Sequence, residues 1–143
     1  MIVFTNGCFD ILHVQHIILL KYCRTLAGKT GKVIVGLNSD SSVKHNKGIS
    51  RPIINQGDRR TMLLALEYVD EVKIFSEPTP FQLLEYLLPD IIVKGHDWKD
   101  KHIIGHRFAK EVRFAPTNDS ISTTKIIQKC CDLSPGQIYR PGG

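Results

Sequence analysis

Long hydrophobic runs are missing from this 143-residue chain. The uncharged stretch Val14 to Leu20 falls far short of the roughly 20 residues that a membrane span requires, and no signal-peptide pattern precedes the first apolar run. A soluble, cytoplasmic protein with no membrane partner is expected. Cysteines are few and poorly spaced for a disulfide framework: of Cys8, Cys23, Cys130 and Cys131 none forms a C-x-x-C, and the last two are adjacent. They read as buried or idle thiols of a reducing compartment.

Several chemical fingerprints are absent as well. No G-x-G-x-x-G follows the first apolar run, since the positions after Gly7 hold Phe9 and Leu12, which disfavours a nicotinamide oxidoreductase. Gly28-Lys29-Thr30 resembles the end of a phosphate loop, but Cys23 stands where that loop needs a glycine, and the segment follows a helical pattern instead of a strand. His102 and His106 have i, i+4 spacing, yet Ile103 takes the place of the zinc-protease glutamate, so no resident metal is expected. No serine or cysteine has a triad context. Lys44, Lys47, Arg51, Arg59 and Arg60 cluster without interleaved aromatic residues, which suits a compact phosphate pocket better than a nucleic-acid track; a solvated basic loop is the alternative.

What is present is a basic chain, net charge +5 and pI about 9.1, suited to anionic ligands. Short Val- and Ile-rich runs recur at Ile2 to Thr5, Lys32 to Leu37, Glu71 to Phe75, Asp90 to Lys94 and Glu111 to Ala115, the signature of buried parallel strands. Helical patterns lie between and after them: Val14 to Leu26, Arg59 to Tyr68, Pro80 to Leu88 and Thr123 to Cys131. The alternation predicts an open α/β fold, a parallel five-stranded sheet with helices on both faces, in one domain over residues 1–132. Residues 133–143 have the composition of a flexible end. Ligands of such sheets sit beyond the carboxyl ends of the strands, which directs attention to the loops 6–13, 38–58 and 95–106.

Two of the helix starts look built for anions. Asn6-Gly7-Cys8-Phe9-Asp10 turns into a helix headed by His13 and His16, and Ser120-Ile121-Ser122-Thr123-Thr124-Lys125 opens another. Free N–H groups and the positive end of the dipole favour phosphate over a metal cation at both. A phosphate monoester acceptor is already ionised near neutral pH, so a transfer to it needs alignment and charge stabilisation but no dedicated base.

These residues resemble a known family. Gly7 to His16 is similar to the G-x-F-D-x-x-H-x-G-H signature of the cytidylyltransferase-like nucleotidyltransferases, and Ile121-Ser122-Thr123-Thr124 resembles their second signature. The resemblance covers Ile2 to Lys129 and implies a Rossmann-like nucleotidyltransferase domain. Thr5 to Asp10, Asn38-Ser39-Asp40, Lys47-Gly48, Ser50-Arg51-Pro52, Ala65-Leu66-Glu67, Val69-Asp70 and Leu88 to Gly95 look most like heptose-1-phosphate adenylyltransferases, which make ADP-heptose for lipopolysaccharide. Asp97-Trp98 and Ile121 to Ile126 are instead similar to glycerol-3-phosphate cytidylyltransferases, although Thr117 to Ser120 lacks the arginine those enzymes carry there.

The resemblance implies transfer of a nucleoside monophosphate from ATP or CTP to a sugar or alcohol phosphate, with Mg²⁺ carried on the triphosphate, in a homodimer. By match to its motifs, His13, His16, Lys44, Lys47 and Arg59 are the expected catalytic or phosphate-stabilising residues. Asn6, Gly7, Cys8 and Phe9 should let the nucleotide approach, Gly95 and Asp97 should border base and ribose, and Ser122, Thr123 and Thr124 should cradle phosphates. Alternatives stay open: Ser122 as a helix cap, Asp10 as a turn holder, Arg59 in an ion pair. Gln15 replaces the usual glycine, so a nucleotide-binding module without turnover is a further reading, and His96 stands where the heptose-type enzymes tend to have glycine, which suits a loop that reads a different base.

Overall fold

The five apolar runs become five parallel strands in the computed structural model, which describes residues 1–138. They are β1 (Ile2–Gly7), β2 (Lys32–Asn38), β3 (Glu71–Phe75), β4 (Ile91–Gly95) and β5 (Glu111–Ala115), hydrogen-bonded in the order β3-β2-β1-β4-β5. Val3 in the central strand pairs with Val33 on one side and Ile91 on the other. Strand order reverses at β1, so a crevice opens between the carboxyl ends of β1 and β4. This is the Rossmann-like α/β architecture the sequence predicts.

The helices are α1 (Val14–Ala27), α2 (Asp40–Lys47), α3 (Gln56–Leu64), α4 (Phe81–Leu87), α5 (Thr123–Cys131) and the single turn α6 (Pro135–Ile138). Alternate residues of each strand face opposite ways, and each side has its own core. On one, Val3, Val33, Ile91 and Val93 pack on Cys23 and Ala27 of α1, while Val35 and Leu37 pack on Leu20 of α1 and Leu63 of α3. On the other, Phe4, Ile34 and Ile92 meet Leu84 of α4 and Ile103. Burying side chains of this size contributes about 1.5–3 kcal/mol each. Gly36 is required by the second side: a Cβ there would lie 2.7 Å from the Phe4 ring.

Two elements differ from the sequence reading. Loop 38–58 contains α2 and the first turn of α3. The α2 sequence, Asp40-Ser41-Ser42-Val43-Lys44-His45-Asn46-Lys47, has almost no apolar periodicity, and only Ser42 and Val43 are buried. Polar contacts hold it: the Ser39 hydroxyl caps Ser42 N, and the Ser42 hydroxyl donates to Glu77 O at 2.9 Å. Helix α3 starts three residues earlier than predicted because Asn55 caps it, accepting from Asp58 N at 2.9 Å, and it ends at Leu64. In the tail, whose composition predicts a flexible end, Pro135–Ile138 form the single turn α6, and residues 139–143 lie outside the described residues. No described helix is long and apolar enough to cross a membrane.

Candidate nucleotide site at the switch point

A cleft of about 750 Å³ opens at the carboxyl ends of β1 and β4, between the heads of α1 and α5. It gathers Asn6, Gly7, Cys8, Phe9, His13, His16, Lys47, Gly95, Asp97, Ser122, Thr123 and Thr124. These come from both ends of the sequence, and all were expected site residues.

The turn after β1 is tightly braced. Phe9 and Ile11 both have positive φ, 48° and 53°, a conformation that costs a non-glycine residue on the order of 1–3 kcal/mol. Asp10, buried between them, compensates. Its carboxylate accepts from Ile53 N at 2.8 Å, Ile54 N at 2.9 Å and Arg51 Nε at 3.3 Å. Its carbonyl accepts the Thr123 hydroxyl at 2.5 Å. Asp10 therefore ties the turn to the basic loop and to the head of α5.

The two histidines form a reciprocal cap on α1. His13 Nδ1 accepts from Gln15 N, and His16 Nδ1 accepts from His13 N, each at 3.2 Å. A neutral ring whose Nδ1 accepts must carry its proton on Nε2, so the cap assigns both histidines the tautomer with Nε2–H free as a donor. Their rings stack with centroids 3.7 Å apart. Burial, reinforced by the neighbouring His13, pushes His16 down to about 3, and burial also lowers His13. Without a ligand the pair is thus a neutral donor set at the positive end of a helix. Such a set is arranged for an anion.

At the other wall, Lys94 at the end of β4 lies 4.4 Å from the Trp98 ring centroid and donates to Asn6 Oδ1 at 3.2 Å. Burial pushes its ammonium down to about 8, a change Asp97 only partly opposes. Gly95 permits the chain to turn here, since a Cβ would come within 2.8 Å of Asp97 Oδ1 and 2.9 Å of Thr117 Oγ1. The same Thr117 hydroxyl accepts from His96 N at 2.8 Å. Ser122 caps α5 through Lys125 N at 3.1 Å, so capping and an open cradle of N–H groups coexist at this helix head.

Over residues 4–129 the chain matches the cytidylyltransferase-like family. It belongs to that family. Among relatives, it is 50% identical to the bifunctional protein HldE of Campylobacter fetus over 127 residues, 89% of this chain and 27% of that protein. It is 49% identical to the HldE of Helicobacter pylori strain G27 over 128 residues, 90% of this chain and again 27% of the relative. The chain thus spans little more than a quarter of the length of these relatives. A lipopolysaccharide core biosynthesis protein from Thermoplasma volcanium overlays with a TM-score of 0.67 at 26% identity, covering 83% of this chain and 98% of that one. An Archaeoglobus fulgidus protein of unknown function, 15% identical, shares the fold with a TM-score of 0.63, covering 87% of this chain and 96% of that one.

Two expected residues stand apart from this cleft. Lys44 is exposed on α2 and does not line the cleft. Arg59, expected to present charge to a phosphate, is 1% exposed, and its guanidinium is committed to four protein acceptors. It donates to Cys8 O at 2.7 Å and to Ile54 O, Asn38 O and Asp40 Oδ1 at 2.8 Å each. Arg59 fastens the β1 turn to the start of α2 and is a structural clamp in this arrangement. Conversely, Lys94, Trp98 and Thr117 line the cleft although the sequence does not mark them as site residues, and Arg51 joins them from the basic cluster. Lys94 closes a strand that reads as core, and its loop-facing position follows only once β4 is placed beside β1.

Proposed function

We propose that the chain transfers a nucleoside monophosphate from ATP to a sugar phosphate such as heptose 1-phosphate, releasing pyrophosphate. The observation that carries this reading is the convergence of two helix heads, α1 with its paired imidazoles and α5 with its hydroxyls, on one basic cleft at the switch point. The extended match to heptose-type motifs and the similarity to HldE proteins support the donor and acceptor. Mg²⁺ enters as the counter-ion of the triphosphate and is part of that substrate.

In this mechanism an ionised oxygen of the acceptor phosphate attacks the α-phosphorus in line. A new P–O bond forms, the bond to the β-phosphate oxygen breaks, and its electron pair leaves with pyrophosphate. His13 and His16 donate from Nε2 to the oxygens that gain charge, and the head of α5 with Ser122, Thr123 and Thr124 holds the leaving phosphates. Lys47 and Lys94 supply positive charge from the rim and from the base of the cleft. Lys44 could join them only through movement of its helix. The protein is proposed to act in the cytoplasm as a homodimer.

A second reading, CTP with glycerol 3-phosphate, is favoured by Asp97-Trp98 in the loop after β4. Pyrophosphate release separates the two. ATP, CTP, GTP and UTP are each supplied with Mg²⁺ against heptose 1-phosphate, other sugar phosphates and glycerol 3-phosphate. Release that requires ATP and a sugar phosphate is the expected result; release confined to CTP overturns the donor assignment. Tight nucleotide binding with no release across the panel replaces the enzyme by a binding module.

A further inference from the structure

Gln15 is 8% exposed on the first turn of α1, and its carboxamide is saturated by a segment more than a hundred residues away. Nε2 donates to Asn118 Oδ1 and to Ser120 Oγ, both at 3.0 Å, and Oε1 accepts from Asn118 N at 2.8 Å. The segment it grips, 117–120, lies between β5 and α5 and lines the cleft through Thr117, Asn118 and Asp119. Asn118, Asp119 and Ser120 are all exposed. A stretch of this kind, with few apolar contacts, does not order itself.

Polar ties hold it: Thr117 N to the Ala115 carbonyl at its base, Ser120 N to Asn118 Oδ1 within it, and, to other parts of the fold, Thr117 to His96 N, Lys125 to the Asp119 carbonyl and the Gln15 carboxamide. We propose that Gln15 is a positioning residue that latches the 117–120 segment against α1, fixing one wall of the cleft so that the donor nucleotide meets a site already formed. This rests on the reading of the cleft as a triphosphate site. Because Gln15 takes up Oδ1 and the main-chain N–H of Asn118, the side-chain Nδ2 is the donor that residue keeps for a ligand, held at the angle the latch sets. The latch therefore governs how firmly the donor is held and leaves the chemical step to other groups.

The backbone separates the two roles. It is the main-chain N–H of Gln15 that orients His13, and a side-chain substitution leaves that bond in place. The latch is tested with Gln15→Met, which keeps the volume of the side chain without its hydrogen bonds, and Gln15→Ala. Expected in both is a rise of about tenfold in the donor KM, the scale of a few lost hydrogen bonds and a loop that must be ordered on binding, with acceptor KM and kcat changed by less than about threefold. Amide exchange at Asn118 should quicken while the amides of α1 stay protected.

An unchanged donor KM, or donor and acceptor KM rising together, overturns the latch. So does unchanged protection at Asn118. If the wild-type protein turns over no pair of substrates, the proposed function fails, and the latch is then judged on Asn118 exchange and on the Kd of Mg²⁺-ATP and Mg²⁺-CTP. A Kd weakened by the Met variant sustains it, and an unaltered Kd removes it.

Discussion

Thr123 donates its hydroxyl to the main-chain carbonyl of Asp10, 2.5 Å away across 113 residues of sequence. This bond joins the strained turn after β1 to the first residue of α5, so the two anion-facing helix heads share one brace. The sequence has Thr123 cradling phosphate, but its hydroxyl is engaged by Asp10 and the residue is buried, so that group is not free to do so.

Thr123→Val should test that brace, because it keeps the shape and leaves the Asp10 carbonyl without its donor. A loss of about 1–3 kcal/mol is expected from urea unfolding, with a fall in turnover larger than that of Thr124→Val, whose side chain is exposed. Equal effects from the two variants would falsify the brace.

His16→Ala should lower turnover by roughly two or more orders of magnitude, the scale of one lost donor to a developing charge, with a modest effect on stability. The imidazole also carries a pH signature. Its proton affinity is depressed on folding, from the ordinary histidine range to about 3, so between these limits the unfolded chain binds a proton that the folded chain refuses. Stability therefore falls as pH drops from about 6.5 toward 3. The slope of unfolding free energy against pH in this window should be shallower in His16→Gln than in the wild type.

Lys94 gives the opposite end of the pH scale. With the ammonium pushed down to about 8, a bound anion restores the charged form, and nucleotide binding above that pH must take up a proton. Affinity for a nonhydrolysable triphosphate should weaken as pH rises through about 8, and Lys94→Met should flatten that dependence. Its burial also disfavours the folded state below about 8 and is relieved as pH rises toward the ordinary lysine value. Titration calorimetry at several pH values reads the first effect.

Arg59→Ala is expected to cost at least about 3 kcal/mol, since it strands three main-chain carbonyls and the Asp40 carboxylate that one guanidinium now satisfies. Arg59→Lys should recover only part of this, because an ammonium cannot span four acceptors set around a planar fork. Lys44→Ala, on an exposed side chain, should leave stability within about 0.5 kcal/mol. Comparable losses for Arg59→Ala and Lys44→Ala in chemical denaturation would contradict the clamp.

The sheet was legible because its strands are buried on both sides and read as continuous Val and Ile runs; Lys32 to Asn38 is the clearest case. The two helix heads were legible too, since glycine, histidine and hydroxyl residues at a strand-to-helix turn have a local physical meaning. Helix α2 was not, because what stabilises it, Ser42 reaching Glu77 O and Asn38, lies outside its own sequence. Arg59 shows the same limit for the site. A basic residue beside a glycine- and lysine-rich loop reads as a phosphate ligand, and only the fold reveals that Cys8, Asn38 and Ile54 turn their carbonyls toward it.

The strand order also has a consequence for the nascent chain. β1 precedes the other four strands in sequence but sits in the middle, and β2 and β3 can pair beside it once residue 75 has emerged, burying one half of the sheet. Its other edge stays open until Ile91 and Ile92 arrive to pair with Val3 and Phe4. During that interval the paired histidines already head α1, yet the cleft has one wall and no floor. Ligand recognition is thus deferred until β4 and then α5 have been made and can close around a half-sheet with an exposed strand edge.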